Sequence, residues 1–342
     1  MSIKVLVIDD STTMRALLCE TLRAAGDIDV VGTAADAREA RAMIKELSPD
    51  VITLDIEMPG MSGLDFLEKL MLLRPMPVVI VSGLTGNGSA MTARALAMGA
   101  VECYAKPDGM AGNLLTCDHG RLAAMIRNAA QANIGARSWS TRSAEPQQAF
   151  NAGNARAIAI GASTGGVEAL DVLLSQFPGD CPPTLVVQHI NGAFAQAVAR
   201  RLDSRCEPVV VLAEPDLPLR RGHVYIAPGT ERHMEVRASA NSFSIRARHG
   251  PMVSGHRPSV DVLFHSMATQ VGSAAIGILL TGMGQDGAKG MLAMARAGAA
   301  TIAQDQATSV VYGMPGAAIA LGAAQVVAPI DKIAQHAFAG AR

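Results

Sequence analysis

Short apolar runs alternate with helix-patterned segments along most of the chain, and this alternation restricts its fold more than any other feature. The run Val51–Leu54 is continuously apolar or β-branched, as in a buried strand, whereas Ala35–Leu47 has the spacing of an amphipathic helix. Strands that alternate with helices are joined by crossovers, so they form a parallel sheet with helices on both faces. We predict strands at Lys4–Ile8, Asp29–Thr33, Val51–Leu54, Val78–Val81, Val101–Tyr104, Ala157–Ile160, Thr184–Gln188, Val209–Leu212, His223–Ile226, Ile276–Leu280 and Ala300–Ala303.

The alternation stops in the segment 131–154, which is polar and lacks sustained periodicity, as is typical of a flexible linker. The chain has 342 residues, and single hydrophobic cores rarely grow past roughly 250–300 residues. We therefore predict an N-terminal five-stranded doubly wound α/β domain (1–125), a linker (126–153) and a C-terminal doubly wound, mainly parallel α/β domain (154–342). The second domain also has the pattern of a hairpin, Met234–Arg237 with Phe243–Ala247.

Composition excludes several classes of function. The net charge is −1 and there is no basic stripe with interleaved aromatic residues, so we expect no nucleic-acid binding. No apolar stretch is long enough to span a membrane, so we expect no membrane insertion. The five cysteines have no CxxC pair, so we expect free thiols in a reducing cytoplasm; they are Cys19, Cys103, Cys117, Cys181 and Cys206.

Acidic and polar residues follow the ends of the strands in the first predicted sheet. Asp9 and Asp10 follow the first strand, Asp55 the third, Ser82 the fourth and Lys106 the fifth. Because the carboxyl ends of parallel strands meet at one edge, the three carboxylates should repel each other unless a cation lies among them. Oxygen ligands suit Mg²⁺, and an aspartate neutralised in this way can attack a phosphoryl donor. Ser82 would then hydrogen-bond the phosphate, and Lys106 would pair with its charge.

This set, together with Asp55–Gly60 and the pair Lys106-Pro107, resembles the receiver domain of response regulators over about Ile3–Ala124. The resemblance implies a receiver domain at 1–125 in which Asp55 accepts the phosphoryl group. It also implies that Mg²⁺ is held in this domain by Asp9, Asp10, Asp55 and the backbone carbonyl of Glu57.

One position departs from that family. Receivers carry an aromatic residue three positions before the lysine, and here that position is Cys103, with Tyr104 next to it. Successive side chains of a strand point to opposite faces, so Tyr104 does not replace the missing aromatic residue. We therefore expect Ser82 and backbone shifts to carry the response to phosphorylation.

The run Gly161–Gly166 (GASTGG) joins a strand-like segment to a helix-like one and satisfies the pattern G-x-S-x-G. Its glycines would expose the hydroxyl of Ser163 at the start of a helix, as in a serine hydrolase. The same turn could instead hold a phosphate or a dinucleotide, or serve only as a close helix–sheet contact. The turn by itself does not decide among these three interpretations.

A histidine and an aspartate favour the hydrolase. His189 ends the strand Thr184–Gln188, and Asp286 lies in the glycine-rich turn that follows the strand Ile276–Leu280. The glycines of that turn let backbone N–H groups approach a reacting carbonyl as an oxyanion hole. A triad is defined by geometry and not by chain order. The alternative order Ser, Asp, His would require His336, which lies in a helix-patterned segment.

The second half contains the motifs GASTGG, Gln188-His189, Ile226–Gly229 with His233, His256–Asp261 and Leu279–Gly287. In these motifs it resembles the catalytic domain of the chemotaxis protein-glutamate methylesterase family (CheB), from about Arg156 to the C-terminus. The resemblance implies that Ser163 is the nucleophile, His189 the general base and Asp286 the residue that orients the imidazole. Thr164 would assist the site, and the backbone of Met283 would donate to the oxyanion. His256, Arg257 and Asp261 would shape the pocket or the core.

Together the two resemblances imply a phosphorylation-activated hydrolase with a catalytic domain at 154–342. It would demethylate glutamate methyl esters, and deamidate glutamines, on the cytoplasmic domains of chemoreceptors. A chemotaxis histidine kinase would donate the phosphoryl group, and the unphosphorylated receiver would cover the catalytic edge. We expect a cytoplasmic monomer with no cofactor in the catalytic domain. The alternatives are a nucleotide-binding module and a receiver-controlled output domain that acts only by protein contact.

Overall fold

Apolar runs form the strands of two separate parallel sheets, one in each of two compact units, Met1–Gly135 and Ala136–Arg342. The structure is a computed structural model that describes residues 2–58, 60–83, 86–106, 118–134, 155–239 and 242–339. Several residues named above lie outside the described ones, namely Pro59, Pro107, Cys117 and residues 135–154, which make up most of the predicted linker. Among the described residues, no helix is both long enough and apolar enough to span a membrane.

The first unit is a five-stranded sheet in the order β2-β1-β3-β4-β5, and all of its strand pairs are parallel. Side-chain oxygens of Ser11, Asp36 and Ser62 accept backbone N–H groups and so begin three of the helices. The strands are β1 (Ile3–Ile8), β2 (Ile28–Ala34), β3 (Val51–Asp55), β4 (Val78–Ser82) and β5 (Glu102–Ala105). The helices are α1 (Thr12–Arg23), α2 (Ala37–Leu47), α3 (Gly63–Leu73), α4 (Gly86–Ala97) and α5 (Arg121–Ala130).

The second unit is a seven-stranded parallel sheet in the order β14-β13-β12-β6-β7-β9-β8, with a separate antiparallel hairpin, β10-β11. Its strands are β6 (Ala157–Ala162), β7 (Thr184–Gln188), β8 (Val209–Leu212), β9 (His223–Ile226), β10 (Arg232–Ser239), β11 (Ser242–His249), β12 (Ala275–Leu279), β13 (Ala300–Gln304) and β14 (Val326–Ala328). Its helices are α6 (Gly166–Leu174), α7 (Gly192–Asp203), α8 (Val260–Gln270), a 3-10 turn (Gly272–Ala274), α9 (Ala288–Arg296), α10 (Met314–Ala320) and α11 (Ile330–Phe338).

The predicted fold class is confirmed for both units. Every predicted strand overlaps an observed one, and the predicted hairpin is present. The strand β14 was not predicted, because Val326–Ala328 is a three-residue edge strand that follows an alanine-rich segment. Helix α5 continues past residue 125, the predicted end of the first domain.

The centre of the second sheet decides where its polar residues meet. Strand β6 lies between β12 and β7, and all three are fully buried. Two backbone hydrogen bonds continue the ladder past the strand ends. The N–H of Ser163 donates to the carbonyl of Thr281 at 3.0 Å, and the N–H of His189 donates to the carbonyl of Ala162 at 3.0 Å. The segments that follow the three strands therefore lie side by side at the carboxyl edge.

Candidate active site

Three carboxylates lie together at the carboxyl edge of the first sheet. Asp9 is completely buried after β1, Asp55 is buried at the end of β3, and Asp10 is exposed. One oxygen from each of the three lies within 4.8 Å of the others. The convergence of these three acids, predicted from their positions at strand ends, is present in the fold.

Lys106 lies among these acids. Its Nζ is 2.7 Å from Asp55 Oδ2 and 3.0 Å from Asp9 Oδ2. Burial lowers the pKa of Lys106, but the two carboxylates outweigh this effect and raise the pKa above its usual value. For Asp9, burial and the negative charge of Asp55 raise the pKa, although Lys106 opposes them. With three carboxylates and one ammonium, the group carries two more negative charges than positive ones when all are ionised.

The donor set fits a hard divalent cation. It consists of carboxylate oxygens only, it has an excess of negative charge, and one of its acids is buried with a raised pKa. Glu57, predicted to supply a backbone carbonyl, donates its N–H to Asp55 Oδ1 at 3.3 Å. Ser82, predicted to contact phosphate, is buried at the end of β4, and its hydroxyl donates to the carbonyl of Gly83 at 3.4 Å.

Cys103 and Tyr104 occupy opposite faces of β5, and both are buried. Burial raises the pKa of the Cys103 thiol well above its usual value. The Tyr104 hydroxyl donates to Asp118 Oδ1 at 2.7 Å, and the same oxygen accepts the N–H of Leu122 at 3.1 Å. Tyr104 is thus tied to the start of α5. Sequence reasoning missed Asp118, since no periodic pattern connects it to β5.

The second site begins at the turn between β6 and α6. Gly165 has a φ of 74°, and a Cβ built on it would lie 2.6 Å from the side chain of Val310. A Cβ on Gly166 would lie 2.1 Å from Gln188 Oε1. Glycine is therefore needed at both positions for this tight turn. The turn places Ser163 directly after the central strand.

The backbone of Ser163 is held on both sides. Its N–H donates to Thr281, as described above, and its carbonyl accepts the N–H of Gly166 at 2.7 Å. The same carbonyl accepts the Gln188 side-chain amide at 2.8 Å, and that amide also lies 3.2 Å from the carbonyl of His189. Gln188 therefore links the backbone of the predicted nucleophile to that of the predicted base.

His189 directly follows β7, the strand next to the one that Ser163 follows. Ala162 pairs with Gln188 in the parallel register, so Ser163 and His189 follow on neighbouring strands that are about 5 Å apart. The His189 Nε2 lies 2.9 Å from Asp286 Oδ2. A carboxylate only accepts hydrogen bonds, so the proton is on Nε2. The other ring nitrogen, Nδ1, is buried and has no hydrogen-bond partner among the residues that the structure describes.

Asp286 is buried and accepts four hydrogen bonds. Besides His189, its donors come from the start of α8: the hydroxyl of Ser259 at 2.8 Å, the N–H of Val260 at 2.8 Å and the N–H of Asp261 at 2.9 Å. Burial raises the pKa of Asp286, but the hydrogen bond and charge of His189 and the donors at the helix start lower it below its usual value. Asp286 is therefore an ionised carboxylate that holds His189.

The ring of His256 stacks on that of His189, with centroids 3.7 Å apart and planes 6° from parallel. Burial and the neighbouring charge of His189 lower the pKa of His256 to about 4, against a smaller opposing effect of Asp286. His256 was predicted to shape the pocket or the core, and it contacts the predicted base directly. Asp261 contributes its N–H to Asp286, while Arg257 donates to the carbonyl of Gly250 at 2.9 Å.

The loop after β12 packs against the serine turn. Thr281 Oγ1 donates to the carbonyl of Thr164 at 3.0 Å, and a Cβ built on Gly282 would lie 2.7 Å from Ser163 Cβ. This close approach places Met283 one residue from the point of contact. Thr164 is buried and Met283 is half-buried. His336 lies in α11, as its pattern predicted.

Comparison with known proteins agrees with both halves of this description. The family model for the CheB methylesterase matches residues 158–337, and that for the response regulator receiver domain matches residues 5–113. The chain is 48% identical over 334 residues to a protein-glutamate methylesterase/protein-glutamine glutaminase of Caulobacter vibrioides, which covers 97% of this chain and 96% of that protein. It is 46% identical over 338 residues to the protein of that name from Escherichia coli, with coverage of 98% and 96%.

A solved structure is similar to the second unit. The crystal structure of the Thermotoga maritima CheB methylesterase catalytic domain matches with a TM-score of 0.53 and 36% identity. The match covers 54% of this chain and 97% of that structure.

Proposed function

The chain belongs to the CheB methylesterase family, and from that premise we propose that Ser163, His189 and Asp286 carry a receiver-controlled methylesterase and glutaminase reaction. The substrates are glutamate methyl esters and glutamines on chemoreceptors. The observation that carries the assignment is the 2.9 Å contact between His189 Nε2 and Asp286. The other ring nitrogen, Nδ1, has no hydrogen-bond partner among the described residues, so we assign it as the acceptor.

The proposed reaction is an acyl transfer. Ser163 Oγ attacks the ester carbonyl while His189 Nδ1 accepts the hydroxyl proton. The tetrahedral intermediate collapses, the bond to the methoxy oxygen breaks, and His189 returns the proton so that methanol leaves. Water then attacks the acyl-enzyme, again with His189 as the base, and frees Ser163 and a glutamate carboxylate. For a glutamine substrate the leaving group is ammonia.

Two contacts bear on how charge is stabilised during this reaction. The ionised Asp286 stabilises the imidazolium that forms on His189. The N–H of Ser163 is bonded to Thr281, so the donors to the oxyanion must come from elsewhere. We assign the oxyanion donor to the backbone of Met283, because the loop that carries Met283 packs on the serine turn. Thr164, buried next to Ser163, assists the site.

In the first unit, Asp55 is the proposed phosphoryl acceptor. Asp9, Asp10, Asp55 and the carbonyl of Glu57 would hold Mg²⁺, which would neutralise the acids and the incoming phosphate charge. Lys106 lies 2.7 Å from Asp55 and is therefore within reach of a phosphate on that residue. Ser82, at the end of the neighbouring strand, would hydrogen-bond the phosphate. The donor would be a chemotaxis histidine kinase.

We place the protein in the cytoplasm. The four described cysteines are free thiols, as is usual in a reducing compartment. The proposed substrate, the cytoplasmic domain of a chemoreceptor, lies in the same compartment.

Methanol release from methylated receptor membranes, with and without a small-molecule phosphodonor, tests this function. We expect release by the full chain and stimulation of about tenfold by the phosphodonor, within the usual 1–3 kcal/mol of coupling between sites. Ser163→Ala should abolish release. Asp55→Asn should keep the unstimulated rate and lose the stimulation.

Each control separates one assignment from the rest. Full activity in Ser163→Ala would mean that another residue is the nucleophile. Stimulation that persists in Asp55→Asn would place the phosphoryl acceptor elsewhere. If the wild-type chain releases no methanol under either condition, the methylesterase proposal is wrong.

A further inference from the structure

Asp286 is held in place by residues that the reaction does not use. Ser259, the residue before α8, is completely buried, and its hydroxyl donates to Asp286 Oδ1. The next two backbone N–H groups donate to the same carboxylate. The direction of the carboxylate, and so its alignment with His189, therefore depends on where the chain enters α8.

That entry point is bonded to His233 in the hairpin strand β10. The backbone N–H of Ser259 donates to His233 Nδ1 at 3.2 Å, and His233 Nε2 lies 2.9 Å from the carbonyl of Pro251. An N–H can only donate and a carbonyl can only accept, so both contacts require the neutral ring with its proton on Nε2. His233 is 1% exposed, and the two partners satisfy both of its ring nitrogens.

The contact is one of several between β10 and α8. Further along, the N–H of Val236 donates to Ser266 Oγ at 2.9 Å, and the N–H of Ala238 donates to Gln270 Oε1 at 3.1 Å. All three contacts join the hairpin to the helix. Only the one at His233 involves the residue that also donates to Asp286.

We propose that His233 and Ser259 are positioning residues of the reaction, acting through Asp286 on His189. The inference rests on the proposed function of the Ser163 site. His233 fixes the backbone of Ser259, and Ser259 then directs its hydroxyl and the following N–H groups at Asp286. A displacement of this entry point turns the carboxylate away from His189 Nε2, and the ring loses its orientation toward Ser163.

Kinetics of methanol release by the full chain test the proposal. His233→Leu fills the space without either hydrogen bond, and we expect kcat to fall about 10–100-fold with KM within twofold, the usual cost of a small misplacement at a reacting centre. His233→Asn keeps an acceptor near the position of Nδ1 and should stay within about fivefold of wild type. The rate of labelling by a serine-directed phosphonate should follow kcat in each variant.

Ser266→Ala is the matched control, because it removes a hairpin–helix contact of the same kind, distant along the helix from Asp286. It should leave kcat within about twofold of wild type. If it lowers kcat as much as His233→Leu, the hairpin only stabilises the helix and the proposal is wrong. If His233→Leu is more active than His233→Asn, packing and not hydrogen bonding is what matters, and the proposal is equally wrong.

Ser259→Ala covers the case in which His233→Leu does not fold. It removes one donor to Asp286 and leaves the two N–H donors in place, so we expect a smaller loss in kcat, about fivefold, with KM unchanged. An unchanged kcat in Ser259→Ala would contradict the proposal.

A measurement without substrate separates this inference from the proposed function. The hydrogen-bonded Nε2 proton of His189 can be followed by NMR in the full chain and assigned by its loss in Asp286→Asn. It should be retained in Ser266→Ala and should be lost or exchange faster with water in His233→Leu. If the chain releases no methanol but shows this pattern of NMR signals, the result counts against the proposed esterase function and not against the positioning role. An unaltered signal in His233→Leu would overturn the positioning role, whatever the activity.

Discussion

Asp9 and Asp286 are both buried carboxylates at the carboxyl edge of a parallel sheet, yet their pKa values are shifted in opposite directions. For Asp9, burial and the neighbouring charge of Asp55 raise the pKa against the attraction of Lys106. For Asp286, burial also acts to raise the pKa, but His189 and the donors at the start of α8 lower it overall. The two edges have the same architecture and a different balance of charge.

The difference lies in what surrounds each acid. At the first edge, three acids and one ammonium lie together and leave an excess of negative charge. At the second edge, the donors of a helix start surround Asp286 together with His189. Helix starts favour negative charge because their N–H groups are unpaired. An unbalanced negative charge thus surrounds Asp9, whereas a set of hydrogen-bond donors surrounds Asp286.

Asp286→Asn removes the charge on which the second edge depends, and it should have the largest effect. We expect kcat for methanol release to fall about 10³–10⁴-fold, since the amide no longer stabilises the imidazolium and favours the wrong tautomer. The amide nitrogen would also face donors at the start of α8, which should cost about 1–3 kcal/mol in the free energy of unfolding. Steady-state kinetics and thermal unfolding measure the two effects.

Asp180→Asn makes the same substitution at a side chain that is 86% exposed, and it should leave both quantities nearly unchanged. If Asp286→Asn keeps more than about a tenth of the wild-type kcat, the reaction does not need the charge of Asp286. The proposed difference between the two edges would then be wrong.

Both edges could be predicted because strand ends are local in sequence. Asp9 and Asp55 each follow an apolar run, as does His189, and the parallel topology inferred from alternation brings such ends together. The same logic placed Ser163 between two neighbouring strands. These predictions needed only the order of elements and the rule that ligands lie beyond the carboxyl ends.

The partners of these residues could not be predicted in the same way. His256 and Ser259 lie in an irregular segment, and the contact of Ser259 with His233 spans 26 positions between a hairpin and a helix start. No periodic pattern specifies such contacts, because they depend on how a loop closes on the packed core. The motif His256–Asp261 is visible in the sequence, but its contacts with His189 and Asp286 are visible only in the structure.

The pH dependence of stability tests whether the ring of His256 is held uncharged against His189. The pKa of His256 in the folded chain is lowered to about 4 from an ordinary value of 6.5, chiefly by burial. The unfolded chain therefore binds more protons between these values, and stability falls as the pH falls from about 6.5 to about 4. After discounting for partial exposure, we expect this group to account for about 2 kcal/mol of that loss.

His256→Phe keeps an aromatic ring against His189 but cannot take a proton. Its free energy of unfolding, measured by denaturant titration at pH 7 and at pH 4.5, should decline less than that of the wild type. His249→Phe, on β11, is the matched control, since it makes the same change at an exposed position away from the stacked rings. Parallel declines in wild type and His256→Phe would show that the stacked ring carries no such penalty.

The smallest expected effect concerns the ion at the first edge. When the folded-state pKa of an acid is raised, the stability it contributes is lost as the pH rises above its ordinary value, so Asp9 destabilises the metal-free chain at neutral pH. At a Mg²⁺ concentration ten times its dissociation constant, the wild type should gain about 1.4 kcal/mol. Asp9→Asn should be more stable than wild type without Mg²⁺ and should gain little from it, as read from thermal unfolding of the full chain.

The same titration shows whether the ion acts at one edge only. Hydrogen exchange should slow at β1 and β3 when Mg²⁺ is added and should not change at the start of α8, where Asp286 already has its donors. Protection that rises at α8 in Asp9→Asn as well as in wild type would mean that Asp286 also depends on a cation. The opposite pKa shifts of Asp9 and Asp286 would then not mean that one carboxylate needs a cation while the other needs only hydrogen-bond donors.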